Sequence, residues 1–242
     1  MKKISLTLAT AGMFILGSAS ASAAVLQEEA AASKGFTQVL KEQFIQGGPA
    51  FMGIVLLCLI LGLAVAIERI IYLNMATTNT TALKESVEAA LASGGVEEAK
   101  NVCRETAGPV ASIYYQGLER SGEGLEAAEK AVVSYGGVQM GQLEKNVSWL
   151  SLFIAIAPML GFMGTVIGMI QAFQKIAAVG NLSASLIAGD IQVALLTTVF
   201  GLITAIILQI FYNYIIAKID AIVNDMEDSS ISLIDMLAAS KK

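Results

Sequence analysis

In this 242-residue chain Thr165, Asp190, Thr198 and Gln209 place polar side chains within or at the edge of strongly apolar sequence. A threonine hydroxyl donates one hydrogen bond and accepts two, an amide does both, and a carboxylate adds charge. In hydrocarbon an unpaired polar group costs several kcal/mol, so such groups point at protein or water. Two roles fit them: lining a pore, or hydrogen-bonded glue between helices. The residues alone leave both open. What is missing narrows the field further. No Asp, Glu, Lys, Arg or His lies inside any of three long uncharged runs, and the chain has no histidine. A proton relay in a membrane ordinarily needs an ionisable group there. The Gly-rich phosphate loop, Ser-His-Asp and Cys-His sets, and metal-ligand clusters are also missing, so no enzyme, metal or cofactor is expected. A pore scaffold whose ionisable group comes from a partner remains, beside an inert assembly scaffold. A secondary transporter ranks third, with three spans and no inverted repeat.

The elements that must position these residues are membrane helices. Residues 147–173 are uncharged and long enough at helical rise to cross the roughly 30 Å hydrocarbon core. Ala157, Gly161, Gly164, Gly168 and Ala172 recur there at spacings of four, three, four and four, which predicts a face for close helix packing. Thr165 stands beside that stripe, and Pro158 lies a turn inside the run, where the hydrogen bond it deletes must be replaced. A bulky residue at Gly161 or Gly164 is expected to weaken the oligomer. In the last run Asp190, Ala194, Thr198, Gly201, Ala205, Gln209 and Asn213 are read as one small and polar face.

Composition agrees with a membrane class, since 55% of residues are hydrophobic and 14% charged, with a mean hydropathy of +0.69. A net charge of -5 argues against nucleic acid, which requires a clustered basic surface. Cys58 sits in an apolar run and Cys103 in a polar one, so neither a disulfide nor zinc ligation is expected, and both are read as inert.

The chain divides as follows. Residues 1–24 have a basic start, an apolar middle and a small-residue end, and are read as a signal peptide cleaved near Ala23 or Ala24; a short first anchor is the competing reading. Residues 25–46 form an extracytoplasmic amphipathic segment, with Phe36, Val39, Leu40 and Phe44 at helical spacing. Residues 47–73 are the first transmembrane helix and 74–146 a helical domain, broken at Ser93-Gly94-Gly95, Gly108-Pro109 and residues 121–124. Residues 147–174 are the second span, 175–189 a periplasmic loop, 190–214 the third span, and 215–242 a C-terminal helix. Basic residues concentrate in 74–146, while Lys175 alone lies between the last two spans. The large region is therefore cytoplasmic by the positive-inside rule. The helix starting near Leu125 is expected to run into the second span with a kink at Gly136-Gly137, and the last two spans to continue as rods into a cytoplasmic bundle. The fold class is thus an all-α membrane protein with three transmembrane helices.

The run from Ala157 through Pro158, Gly161, Gly164, Thr165 and Gly168 to Phe173 closely resembles the signature of the ExbB/TolQ/MotA proton-channel family. So do the third-span run from Ala194 to Leu202 and the Tyr212-Asn213 pair. Gly47-Gly48 before the first span and Ile67-Glu68-Arg69 after it resemble ExbB in particular. The resemblance implies an inner-membrane homopentamer around the transmembrane helices of an acidic ExbD-like partner. Proton flow would then drive movement that a TonB-like protein passes to outer-membrane transporters. It implies that Thr165 and Thr198 face the pore near the partner's aspartate; with the faces read from spacing, Asp190 and Gln209 are placed on the proton pathway and Ala157, Pro158, Gly161, Gly164, Gly168 and Gly201 in helix packing. The family's third-span glutamate aligns with Val193, with Asp190 a turn earlier as a substitute, and Ile207 replaces the usual proline. A TolQ-like role in envelope maintenance is the alternative.

Overall fold

A computed structural model of the chain describes residues 36–180 and 183–240. The expected signal peptide at 1–24 and the first part of the amphipathic segment lie outside these residues. The remainder of that segment is helix α1 (Phe36–Gln46). The described chain then forms α2 (Pro49–Ala76), α3 (Thr80–Glu105), α4 (Pro109–Arg120), a 3₁₀ turn (Ser121–Glu123), α5 (Leu125–Leu143), α6 (Val147–Val179) and α7 (Ala184–Ser240). It is all-α, with no strand among the described residues. Three of these helices, α2, α6 and α7, are long and apolar enough to cross a membrane.

Local chemistry sets most boundaries. Gly48, at φ 82°, turns the chain out of α1, and Pro49 supplies a φ suited to a first helical turn. Asn79 caps α3 by accepting from the Ala82 N–H at 3.1 Å. Gly95, at φ 72°, interrupts that helix. At the far end of α6, Gly180 adopts the left-handed conformation common just past a helix. Helix α6 therefore ends at Val179 and α7 begins at Ala184, so helix occupies much of the expected 175–189 loop.

One break lies elsewhere than the sequence suggested. Helix α5 runs unbroken through Gly136 and Gly137, and the chain bends instead between α5 and α6, where Asn146 has φ 65°. A glycine keeps its N–H and so keeps its helical hydrogen bond; low propensity alone does not kink a helix whose neighbours Val132 and Leu143 are buried. Thus α5 and α6 are jointed, whereas α7 is one helix of 57 residues.

The buried face of α7 is continuous along its length. Ala194, Thr197, Gly201, Thr204, Leu208, Ile215, Ile219, Ile222, Met226, Ser229, Leu233 and Leu237 are all buried, in steps of three and four apart from one step of seven between Leu208 and Ile215, where Phe211 and Tyr212 are half-buried. Its first half packs on α2 and α6; its second half packs with α3, α4 and α5 in a bundle outside the apolar spans. That bundle's core centres on Val87, Ile113, Tyr114, Leu118, Val132 and Leu233. Cys103 belongs to it at 4% exposure, and burial pushes its thiol up to about 11. Both cysteines are buried and unpaired with each other.

Candidate functional site in the membrane seam

The face of α6 built from Ala157, Gly161, Gly164, Gly168 and Ala172 is buried along its whole length. Its neighbour is α7 of the same chain, whereas the sequence reading set the stripe against other copies. A Cβ added at Gly161 would stand 3.0 Å from the Thr197 carbonyl oxygen and 3.0 Å from the Thr198 Cα; one at Gly168 would stand 2.8 Å from the Ala194 Cβ. From the other side, a Cβ at Gly201 would stand 2.6 Å from the Ala157 carbonyl oxygen. Each helix thus presents glycine where the other presents backbone, which brings the two chains of peptide groups together. Pro158 is half-buried inside α6, and the helix continues through it.

This approach lets hydroxyl groups bridge the helices. Thr198 Oγ1 donates to the Gly161 carbonyl oxygen at 2.9 Å. Thr197, 1% exposed, occupies the notch left by Gly164 and donates to the Ala194 carbonyl at 2.8 Å, with the Gly161 carbonyl at 3.4 Å. Thr197 and the likewise buried Thr204 were missed in the sequence; the signal was their place with Ala194, Gly201 and Leu208 on a strict alternation of three and four. Thr165 is different. It is half-buried and its hydroxyl donates within α6, to the Phe162 carbonyl at 2.6 Å.

The expected single face on α7 divides. Ala194 and Gly201 are buried in the seam, but Gln209 and Asn213 are exposed and bond each other, the Gln209 Nε2 donating to Asn213 Oδ1 at 3.0 Å. The reason is rotational: steps of four residues advance about 40° each, so a series dominated by fours winds around the helix. Asp190 closes the other end. Its side chain is 13% exposed and Lys175 Nζ, from α6, reaches it at 2.8 Å. Val193 packs near Gly48 at the start of α2, 3.8 Å from where that glycine's Cβ would be.

At the opposite end of the spans, Glu68 and Arg69 form a clasp that composition did not reveal. Arg69 is 3% exposed. Its Nε donates to Glu68 Oε2 at 2.7 Å and its Nη1 to the Gln142 carbonyl at 3.3 Å, and its guanidinium lies 4.5 Å from the Tyr72 ring centroid. It ties α2 to the end of α5, beside the bend at Asn146.

Chemically, the seam holds hydroxyls whose protons are directed at carbonyls while their oxygens keep lone pairs for a further donor. Among the described residues, no Asp, Glu, Lys, Arg or His side chain lies between the Glu68–Arg69 pair at one end of the spans and the Lys175–Asp190 pair at the other. The polar groups that the seam presents are therefore neutral hydroxyls and backbone carbonyls.

Known proteins resemble the chain in sequence. A biopolymer transport protein ExbB homolog of Methanothermobacter thermautotrophicus is 32% identical over 169 residues, 69% of this chain and 60% of that protein. The biopolymer transport protein ExbB of Neisseria meningitidis serogroup A is 26% identical over 73% of this chain and 86% of its own. The Tol-Pal system protein TolQ of Haemophilus influenzae is 30% identical over 36% of this chain and 38% of its own. The chain thus spans less than two thirds of the Methanothermobacter and Haemophilus relatives. The profile of the MotA/TolQ/ExbB proton channel family matches residues 105–228, just over half of the sequence, and takes in α4, α5, α6 and most of α7. With the glycine stripe and both threonines of the seam inside that match, the chain belongs to the MotA/TolQ/ExbB proton channel family.

Proposed function

We propose that this chain is a proton-channel subunit of a bacterial inner-membrane complex that uses the proton motive force to energise TonB-dependent transport across the outer membrane. The observation that carries the reading is the seam itself: hydroxyl groups held at membrane depth by glycine-mediated contact, with no Asp, Glu, Lys, Arg or His side chain among the described residues between its ends. Such a site conducts only when a carboxylate is supplied to it, and the acidic transmembrane helix of an ExbD-like partner is that group. Several copies of the chain, in a pentamer, surround the partner helix. The bundle of α3, α4, α5 and distal α7 lies in the cytoplasm, the α6–α7 connection in the periplasm, and a TonB-like protein receives the motion. Relatives carrying the name ExbB support this role over a TolQ-like one. The shared segment with a TolQ protein keeps envelope maintenance as the second reading.

The test is reconstitution of the chain into vesicles with and without an ExbD-like protein. An imposed pH gradient should collapse faster only when both are present, and the intact complex should show the mass of several copies plus the partner. Equal leak with and without the partner, or failure of the two to co-purify, overturns the reading.

A further inference from the structure

Among the described residues, the chain takes a positive φ at Gly48, Gly95, Gly108, Gly124 and Gly180, and at one residue that is not glycine, Asn146, at φ 65°. That residue is where α5 gives way to α6. A side chain in the left-handed region is disfavoured and persists where its surroundings impose it. The local sequence does not impose it: no proline stands between Leu125 and Ala157, and Gln142, Leu143, Glu144 and Lys145 are good helix formers. The backbone is also close to helical on both sides. The Lys145, Val147 and Trp149 N–H groups donate to the carbonyls of Gln142, Glu144 and Asn146, three residues back, at 3.4, 3.1 and 3.1 Å. A continuous α-helix would bond four back instead.

What imposes the break comes from α2. Arg69 Nη1 donates to the Gln142 carbonyl at 3.3 Å, and together with the Lys145 N–H it uses both lone pairs of that oxygen. In a continuous helix the same carbonyl would be the acceptor for the Asn146 N–H. Glu68, which accepts from Arg69 Nε at 2.7 Å, also faces the Asn146 side chain and the Lys145 ammonium. Turning Asn146 from the left-handed to the right-handed conformation reorients its side chain relative to Lys145, so Glu68 meets both in the bent arrangement alone.

We propose that the α5–α6 joint is a two-position latch: bent while Glu68 and Arg69 hold it, and one helix of 55 residues from Leu125 to Val179 when they release it. In the released position the rod through α6 matches α7, which has 57 residues. Asparagine is the residue suited to both positions, since it enters the left-handed region more readily than alanine and the helix more readily than glycine. The latch belongs to a single chain and holds whatever that chain conducts.

The experiment is amide hydrogen exchange on the full chain in nanodiscs, read across residues 145–148, with the buried Val132 of α5 as the check on folding. Glu68→Gln with Asn146→Ala should slow exchange at the joint about tenfold or more as helical hydrogen bonds form there. Glu68→Gln with Asn146→Gly should exchange at least as fast as the parent chain. With Glu68 intact, Asn146→Ala should slow exchange by no more than about threefold, because the clasp still holds the bend. Equal exchange in the alanine and glycine variants gives the joint a single position and overturns the latch. Equal slowing with and without Glu68→Gln takes the clasp out of it and overturns it as well. So does loss of protection at Val132 in the alanine variants, which means that the bundle opens and the joint does not straighten.

Discussion

Thr198 Oγ1 gives its proton to the backbone carbonyl of Gly161, on the neighbouring helix of the same chain, at 2.9 Å. The hydroxyl therefore holds α7 against α6 before any partner arrives. Whatever this group offers a conducting proton, it offers through its oxygen.

Thr198→Val should consequently lower the stability of the chain by about 1 kcal/mol, the usual worth of a hydrogen bond between membrane helices. Thr165→Val should change stability by less than about 0.5 kcal/mol, because its bond runs within one helix turn. Thermal unfolding in detergent and gradient collapse in vesicles, measured on the same preparations, separate structure from conduction. Loss of flux in Thr165→Val at unchanged stability assigns that hydroxyl to the proton path. Full flux in both variants removes the threonines from it.

Gly201→Leu should destabilise the membrane part of the chain by about 2 kcal/mol. Better helix propensity favours leucine by about 1 kcal/mol, but the first carbon would stand 2.6 Å from the backbone oxygen of Ala157, which has nowhere to go. Overpacking of about 3 kcal/mol outweighs the gain. Gly53→Leu is the control, since a Cβ there meets nothing within 4 Å. Equal stability of the two variants would show that α6 and α7 do not approach as described.

Arg69→Leu should cost about 2 kcal/mol, less than a fully buried pair because Glu68 is 50% exposed and water can reach the carboxylate left behind. Arg69→Lys keeps the charge but not the paired geometry and should cost about half as much. Proteolysis near the bend at Asn146, followed by mass measurement, should increase in the same order. Unchanged cleavage in Arg69→Leu would mean the clasp does not hold the joint.

In Cys103 and Tyr114 burial raises the pKa, from 9.0 to about 11 and from 10.0 to about 12. A raised folded-state value means that the fold favours the protonated form, so the stabilisation is complete below pH 9 and is lost as pH climbs from 9 towards 12. Stability should fall across that window and be flat just below it. For the same reason Cys103 should resist alkylation at pH 8 until the bundle opens. Silence of Cys103 towards an impermeant reagent on intact cells thus reports burial as readily as sidedness; a cysteine placed at the exposed Asn101 is the proper probe of orientation. Rapid labelling of Cys103 in the folded protein would contradict the packing of α3.

The three apolar helices were legible in the sequence because length and lack of charge suffice to define a span, and the glycine stripe was legible because small residues at steps of three and four have few other uses. The partner of the stripe was not. Gly161 reads the same whether it meets Thr198 of its own chain or of another, since spacing gives a face and no address. The face of α7 was read from its polar residues, and the steps to Gln209 and Asn213 carried it around to the exposed side; the apolar series through Leu208 and Ile215 held the true line. Arg69 was placed at an interface because charges usually sit there. Only the three-dimensional fold shows Tyr72 and Gln142 closing over it.

From Leu202 to Ser240, α7 contains neither glycine nor proline, and its buried line continues from Ala194 to Leu237, about 65 Å at helical rise. Helix α6 has no such continuity, because Asn146 separates it from α5. The two paths out of the membrane therefore differ mechanically: one is a drive shaft and the other a swivel. A displacement of Thr197 and Thr198 would be carried to Leu233 by one unbroken helix, whereas a displacement in α6 meets the joint at Asn146.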